Sequence, residues 1–191
     1  HQGLTGPCTE AIMSSEISRV VIAIKDPDEK VSGSGIDTLL EAGIEVELGP
    51  GAPEVLEQLA SYLHHRNTGF PYVVLKLAAT LDGRIAAPDG TSTWITGEEA
   101  RADVHLLRAE SDAVCVGAGT VRTDDPQLTV RAIKGKDPRR IVVGDIPDEA
   151  LVQPAESWTG DLNDLLNNLG SQGVLQLLVE GGADVAGRFH R

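Results

Sequence analysis

Cysteine is nearly absent from this chain, and the only two, Cys8 and Cys115, lie far apart in sequence. With no pairing pattern and no charged-then-apolar signal layout in the first residues, a disulfide framework is excluded, and reduced thiols in the cytoplasm are expected. Long apolar runs are missing too. None approaches the roughly 18 residues needed to cross a bilayer, so no membrane-spanning helix is expected. Positive charge is scarce, with 16 basic residues against 29 acidic ones and a net charge of −13. Such a surface repels nucleic acid and anionic lipid, so neither is an expected partner. Any anionic small molecule has to be held by local arginines, lysines and backbone amides. The composition does not fix the oligomeric state, and a homo-oligomer stays open.

At 191 residues and 41% hydrophobic content, the chain has enough apolar surface for one good-sized core or two small ones. Its pattern alternates. "SRVVIAIKDP" holds a β-branched strand from Val20 to Ile24, "GIDTLLEAGI" reads as a short helix closed by Gly43, and "EVELG" as another strand. "PEVLEQLASYLHHR" places Val55, Leu56, Leu59 and Leu63 at helical spacing until "NTGFP" breaks it, which sets a domain boundary near Asn67 to Pro71. Beyond it, "YVVLKLAATL" reads as a long buried strand and "GEEARADVHLLRAES" as a helix. "DAVCVGAG" follows as a strand meeting a glycine turn, then "RRIVVGD" as a strand and "DLNDLLNNLG" as a helix. "VLQLLVEGG" is a strand meeting a second glycine turn. This alternation predicts an α/β fold with parallel strands covered by helices and ligands at the carboxyl ends of the strands.

In "AVCVGAGTVRTDDP", Gly117 and Gly119 follow a buried strand and allow close backbone approach to a ligand. It is not the dinucleotide fingerprint, because Arg122 stands where the third glycine belongs. "LLVEGGADVAGRF" repeats the layout, with Glu180, Gly181 and Gly182 at the strand end and "ADVAGRF" starting a helix. Either turn alone reads equally as an ordinary strand-to-helix connection. Between the turns and the boundary, the Thr96 and Glu99 spacing suits a capping box that starts a helix just after Trp94. Trp94 then serves as a lid over a planar ring or as a hydrophobic anchor. Arg101 and Arg108 share a helical face, which suits an anion clamp or a solvated stripe, and Arg131 is a third such cation. His64, His65, His105 and His190 lack metal-ligand spacing and read as surface or internally satisfied residues. Cys115, inside an apolar strand, reads as core.

"PYVVLKLAATLDGRIA", "STWITGEEARADVHLLRAESDAVCVGAGTVRTDDPQLTVR" and "LLVEGGADVAGRF" together resemble the reductase domain of the bifunctional pyrimidine deaminase/reductase of riboflavin biosynthesis, of the RibD type. The resemblance implies a dihydrofolate-reductase-like α/β domain over residues 70–191, without its last strands. It also implies NADPH-dependent reduction of the ribose of 5-amino-6-(5-phosphoribosylamino)uracil to the ribityl product. Carried over residue by residue, the NADP contacts fall on Ala78, Trp94, Thr120, Asp124 and the turn Gly182, Ala183, Asp184, Val185, Ala186, Gly187 and Arg188. The substrate contacts fall on Ser92, Arg108, Leu128, Arg131 and Glu180. Glu180, Lys76 and Asp82 are the candidate catalytic groups, although Asp82 reads equally as part of an Asp-Gly turn. Arg108 and Arg131 offer forked donors for the substrate phosphate. Hydride transfer asks the protein mostly for positioning and exclusion of water.

The opening "HQGLTGPCTEAI" is similar to the end of the same family's zinc deaminase motif. Cys8 matches the final zinc ligand and His1 a loop histidine. Residues 1–50 are then expected to be the tail of a cytidine-deaminase-like α/β/α domain, with 51–69 a linking helix and loop. One thiolate does not make a tetrahedral zinc site, so zinc and deamination are expected of an intact parent and not of this chain. Two other readings stay open: a stand-alone dihydrofolate-reductase-like pyrimidine reductase, and a non-catalytic nucleotide-binding fragment.

Overall fold

The computed structural model describes residues 6–28, 30, 31, 33–92 and 94–190, and the chain divides between Thr68 and Gly69 into two units. His1, the loop histidine of the zinc motif, lies outside the described residues. The first unit runs α1 (Cys8–Met13), β1 (Arg19–Ile22), α2 (Ser34–Glu41), β2 (Glu45–Leu48), α3 (Ala52–Gln58) and α4 (Ala60–Thr68). Strands β1 and β2 pair in parallel from Arg19↔Glu45 to Ile22↔Leu48. Gly43, at φ 79°, turns the chain out of α2, as the sequence predicts. The single helix expected from Pro53 to Arg66 is instead two, because Leu59 at φ −100° and ψ 15° steps out of helical geometry. One such residue leaves the apolar spacing intact, so the spacing does not reveal it. The loop after β1 is latched to α4: the Tyr62 hydroxyl donates to Asp26 Oδ1 at 2.9 Å, and Arg66 Nε lies 3.4 Å from Asp28 Oδ2.

The second unit runs β3 (Tyr72–Leu75), α5 (Glu98–Ala109), β4 (Ala113–Gly117), α6 (Ala118–Asp124), β5 (Arg139–Val143), β6 (Glu156–Trp158), α7 (Leu162–Ser171), β7 (Gln176–Val179) and α8 (Ala183–Phe189). Its five strands form one parallel sheet in the order β3-β7-β4-β5-β6. The central strands read as unbroken apolar runs because both of their faces are covered. Ala113, Cys115, Ile141, Val143, Leu177 and Val179 join Leu162, Leu165 and Leu169 of α7 and Val185 of α8 in one core. Val114, Val116, Val142 and Leu178, alternating with them, join Val121 of α6, Leu128 and Val152 in another. Leucines buried like Leu165 and Leu169 each contribute about 1.5–3 kcal/mol of transfer free energy. Asp161 caps α7 by accepting the Asn163 amide at 2.7 Å.

Three local expectations change. The strand at Tyr72 ends at Leu75 instead of running to Leu81, and it forms an edge of the sheet with Tyr72 and Leu75 each 38% exposed. Beyond it, Gly83 at φ 76° closes a tight turn whose Leu81 lies fully in solvent, so apolar character there does not mean burial. The Thr96/Glu99 capping box does not form. Gly97 is the N-cap of α5, which leaves Thr96 one position outside the helix, its carbonyl accepting from Arg101 Nη1 at 2.7 Å. Gly117 serves internal packing: a Cβ there would meet Val185 Cγ2 at 2.7 Å, so its smallness lets α8 close on β4. The glycine turn itself winds directly into α6.

Candidate functional site

Parallel pairing brings three strand ends to one edge. The Glu180 amide donates to Cys115 O at 2.9 Å and the Lys76 amide to Val179 O at 3.0 Å, so the chain leaves β3, β7 and β4 at one level. A cleft of about 710 Å³ opens there, within the usual range of small-molecule sites. Lys76, Ala78, Ser92, Trp94, Arg108, Thr120, Asp124, Leu128, Arg131 and Glu180 all line it. These residues come from five separate stretches of chain, brought together by the strand order.

Other expected positions lie outside that lining. Asp82 sits on the exposed turn after β3, accepting from Thr80 Oγ1 at 2.5 Å and from Arg84 Nε at 3.0 Å. These two donors, Thr80 first, hold its carboxyl below the usual range. This is the Asp-Gly turn of the plainer reading. The Gly182–Arg188 turn flanks the cleft: a Cβ on Gly182 would lie 3.5 Å from Thr120 Oγ1. Cys8 is an exposed free thiol of the first unit. Among the described residues, no group of three or more His, Cys, Asp or Glu side chains is placed to hold a metal ion. Nor is any helix among them long and apolar enough to cross a membrane.

Arg108 and Glu180 anchor the floor of the cleft. Arg108 Nε and Nη2 donate to the two Glu180 oxygens at 2.6 and 2.9 Å, with the side chains only 10% and 8% exposed. The fork expected to hold a phosphate is therefore filled by a carboxylate. The third arm, Nη1, donates to the Thr129 carbonyl at 3.1 Å. His105, one turn earlier on α5, approaches the same carbonyl with Nδ1 at 3.1 Å, while the Arg131 amide lies 3.4 Å from that nitrogen. A bare Nδ1 would set two lone pairs against each other at the shorter contact, so we assign the proton to Nδ1 and treat the longer one as a close approach. Burial first, then Arg108 and Arg131, push the His105 pKa down, which keeps the ring neutral.

The Thr129 carbonyl thus pins the segment after α6 in an uncommon conformation. Leu128 is 2% exposed at φ 54°, and Asp125 at φ 38° accepts the Leu151 amide at 2.8 Å. A left-handed leucine costs on the order of 1–3 kcal/mol and persists where its surroundings over-determine it. Sequence spacing carries no signal for it. Among the described residues, Lys76 and Arg131 line the cleft without a carboxylate partner, and Arg131 Nη1 reaches only Thr129 Oγ1 at 3.4 Å. At the mouth, Trp94 is 74% exposed and lies under Arg101, whose Cζ is 4.3 Å from the ring centroid. Cys115, deep in the sheet, is pushed up to about 12 by burial and is inert as a nucleophile.

A fully parallel sheet with a polar, cation-bearing cleft at its carboxyl edge, in a chain that is otherwise strongly acidic, defines an α/β domain suited to small anionic ligands. The family follows from comparison: the RibD C-terminal domain model matches residues 71–191, and the chain belongs to that family. It is 40% identical over 229 residues to the riboflavin biosynthesis protein RibD of Chlamydia muridarum, covering 100% of this chain and 62% of that protein. Among solved structures, it is similar to a diaminohydroxyphosphoribosylaminopyrimidine deaminase/5-amino-6-(5-phosphoribosylamino)uracil reductase from Thermotoga maritima. There the TM-score is 0.87 at 36% identity, covering 100% of this chain and 61% of the other. Acinetobacter baumannii RibD gives 0.89 at 35% identity, covering 100% and 62%. The chain spans less than two thirds of the length of these relatives.

Proposed function

We propose that the second unit is the reductase domain of a riboflavin-pathway enzyme, reducing the ribose of 5-amino-6-(5-phosphoribosylamino)uracil to the ribityl product with NADPH. The observation that carries this reading is the cleft itself. Lys76, Ser92, Arg108, Thr120 and Glu180, far apart in sequence, meet at the carboxyl edge of one sheet. The residues fit a reduced nicotinamide nucleotide. The cleft volume suits a ligand of that class, Trp94 offers an exposed aromatic face, and Gly182 puts no side chain against Thr120 Oγ1, 3.5 Å from where a Cβ would stand. NADPH, when bound, supplies the hydride. Arg131 and Lys76 are the cations left for the substrate phosphate, since Arg108 is committed to Glu180. Arg108 instead orients the Glu180 carboxylate, presenting it to the sugar as a fixed acceptor. Leu128 and Val116 supply apolar wall that keeps water from the reacting carbon.

Residues 1–50 of the first unit we read as the tail of a zinc deaminase, with 51–69 as the link and the exposed Cys8 thiol as one ligand in an intact parent. The test of the main reading is a turnover assay following loss of reduced nicotinamide, run on the wild-type chain and on Arg131→Ala. The variant is expected to raise the substrate KM about tenfold, or ~1.4 kcal/mol, with little change in NADPH affinity. Equal losses for both ligands would contradict the assignment of Arg131 to the phosphate.

A further inference from the structure

Arg101 has no role in the reading above, yet at the cleft mouth it meets a ring, a backbone carbonyl and a carboxylate. Its guanidinium lies over the Trp94 indole with Cζ 4.3 Å from the ring centroid. Nη1 donates to the Thr96 carbonyl at 2.7 Å, and Nη2 stands 3.9 Å from Glu98 Oε1. The side chain is 34% exposed, whereas Trp94 itself is 74% exposed. An indole so open to solvent, on a loop outside any helix or strand, has little apolar packing to fix its orientation. The guanidinium supplies it: one planar group stacks on the ring while its edge ties down the backbone two residues further on.

We infer that Arg101 is a positioning residue, holding the Trp94 ring as a fixed wall at the mouth of the cleft by covering one face and leaving the other for the ligand. The inference rests on the nicotinamide-nucleotide reading only for its effect on binding; its effect on the indole holds with no ligand present. A lysine offers a point charge to the ring without a planar stack or the second arm to Thr96, so Arg101→Lys should restore only part of what Arg101→Ala loses. Arg101→Leu keeps apolar cover without charge or donors, and separates stacking from mere packing.

The experiment uses the whole chain carrying Trp158→Phe, excited at the red edge where tyrosine does not absorb, so that Trp94 is the one tryptophan read. Without ligand, Arg101→Ala should raise the acrylamide quenching constant of Trp94 and lower its fluorescence anisotropy, with Arg101→Lys in between and Arg101→Leu near alanine. With NADPH as titrant, Arg101→Ala should weaken binding about three- to tenfold, with kcat changed less than KM for NADPH. Far-ultraviolet dichroism of each variant shows whether α5 survives. If Arg101→Ala folds and leaves Trp94 quenching and anisotropy as in the parent, the inference is overturned. If the indole is loosened but the wild-type chain itself binds no NADPH, the positioning role stands and the cofactor reading fails.

Discussion

Replacing Arg108 by methionine removes the guanidinium but keeps most of the apolar stem, and it leaves the Glu180 carboxylate, 8% exposed, without its two donors at 2.6 and 2.9 Å. Breaking one side of a buried pair costs about 3–5 kcal/mol, because the surviving charge stays desolvated. At about 4 °C per kcal/mol for a unit of this size, the melting temperature should fall by roughly 12–20 °C. Glu180→Leu should cost a similar amount by stranding Arg108, whose remaining bond goes to the Thr129 carbonyl. The double variant Arg108→Met/Glu180→Leu removes both charges together and should lie within about 2 kcal/mol of wild type. Trp94 and Trp158 both belong to the second unit, so tryptophan emission during urea unfolding reports on this unit directly. The four proteins form a thermodynamic cycle whose coupling, on these costs, is at least about 4 kcal/mol. A single-variant cost below about 1 kcal/mol, the value of an exposed surface pair, would refute the reasoning.

Three further outcomes are expected. Gly182→Val should keep the fold, because φ −66° and ψ 178° suit any residue. The branched side chain beside Thr120 should nevertheless weaken NADPH binding more than tenfold in fluorescence titration, at least about 1.4 kcal/mol. His105 has its pKa lowered from 6.5 in the folded chain, so the unfolded chain takes up its proton first as pH falls. Its contribution to stability is full above about pH 6.5 and declines below it, and His105→Asn should reduce the slope of unfolding free energy there by up to about one proton. A thiol reagent should label Cys8 quickly, while Cys115, at about 12 and fully buried, reacts only on unfolding; two fast equivalents would contradict that burial.

The strands that came through clearly in the sequence are those with both faces covered. β4, β5 and β7 are runs of Val, Ile and Leu because two cores alternate along them, and the same runs locate the glycine turns at their ends. The apolar pattern overstates β3, since Leu77 and Leu81 are apolar yet exposed after the chain leaves the edge of the sheet. β6 leaves no signal in the sequence, its three residues from Glu156 to Trp158 being too few and too polar for any alternation. The positions lining the cleft came from family resemblance, and their partners did not. That Arg108 grips Glu180, 72 residues away, depends on β7 lying beside β4. No local spacing encodes the left-handed Leu128 or the carbonyl that His105 and Arg108 share.

The place of β7 in the strand order has a consequence for synthesis. Among the described residues β3 pairs with β7 alone, which slots between it and β4, although β4, β5 and β6 are all made first. While the chain emerges from a ribosome, Tyr72–Leu75 therefore has no sheet partner until Gln176–Val179 follows, roughly 100 residues later. At 5–20 residues per second, that wait lasts about 5–20 s. Throughout it the nascent chain carries an apolar strand with both backbone edges open, on one side of a gap that β7 later fills. Chaperone capture or mispairing between neighbouring nascent chains should concentrate in that interval, and chain stalled before residue 176 should be the form most prone to aggregate.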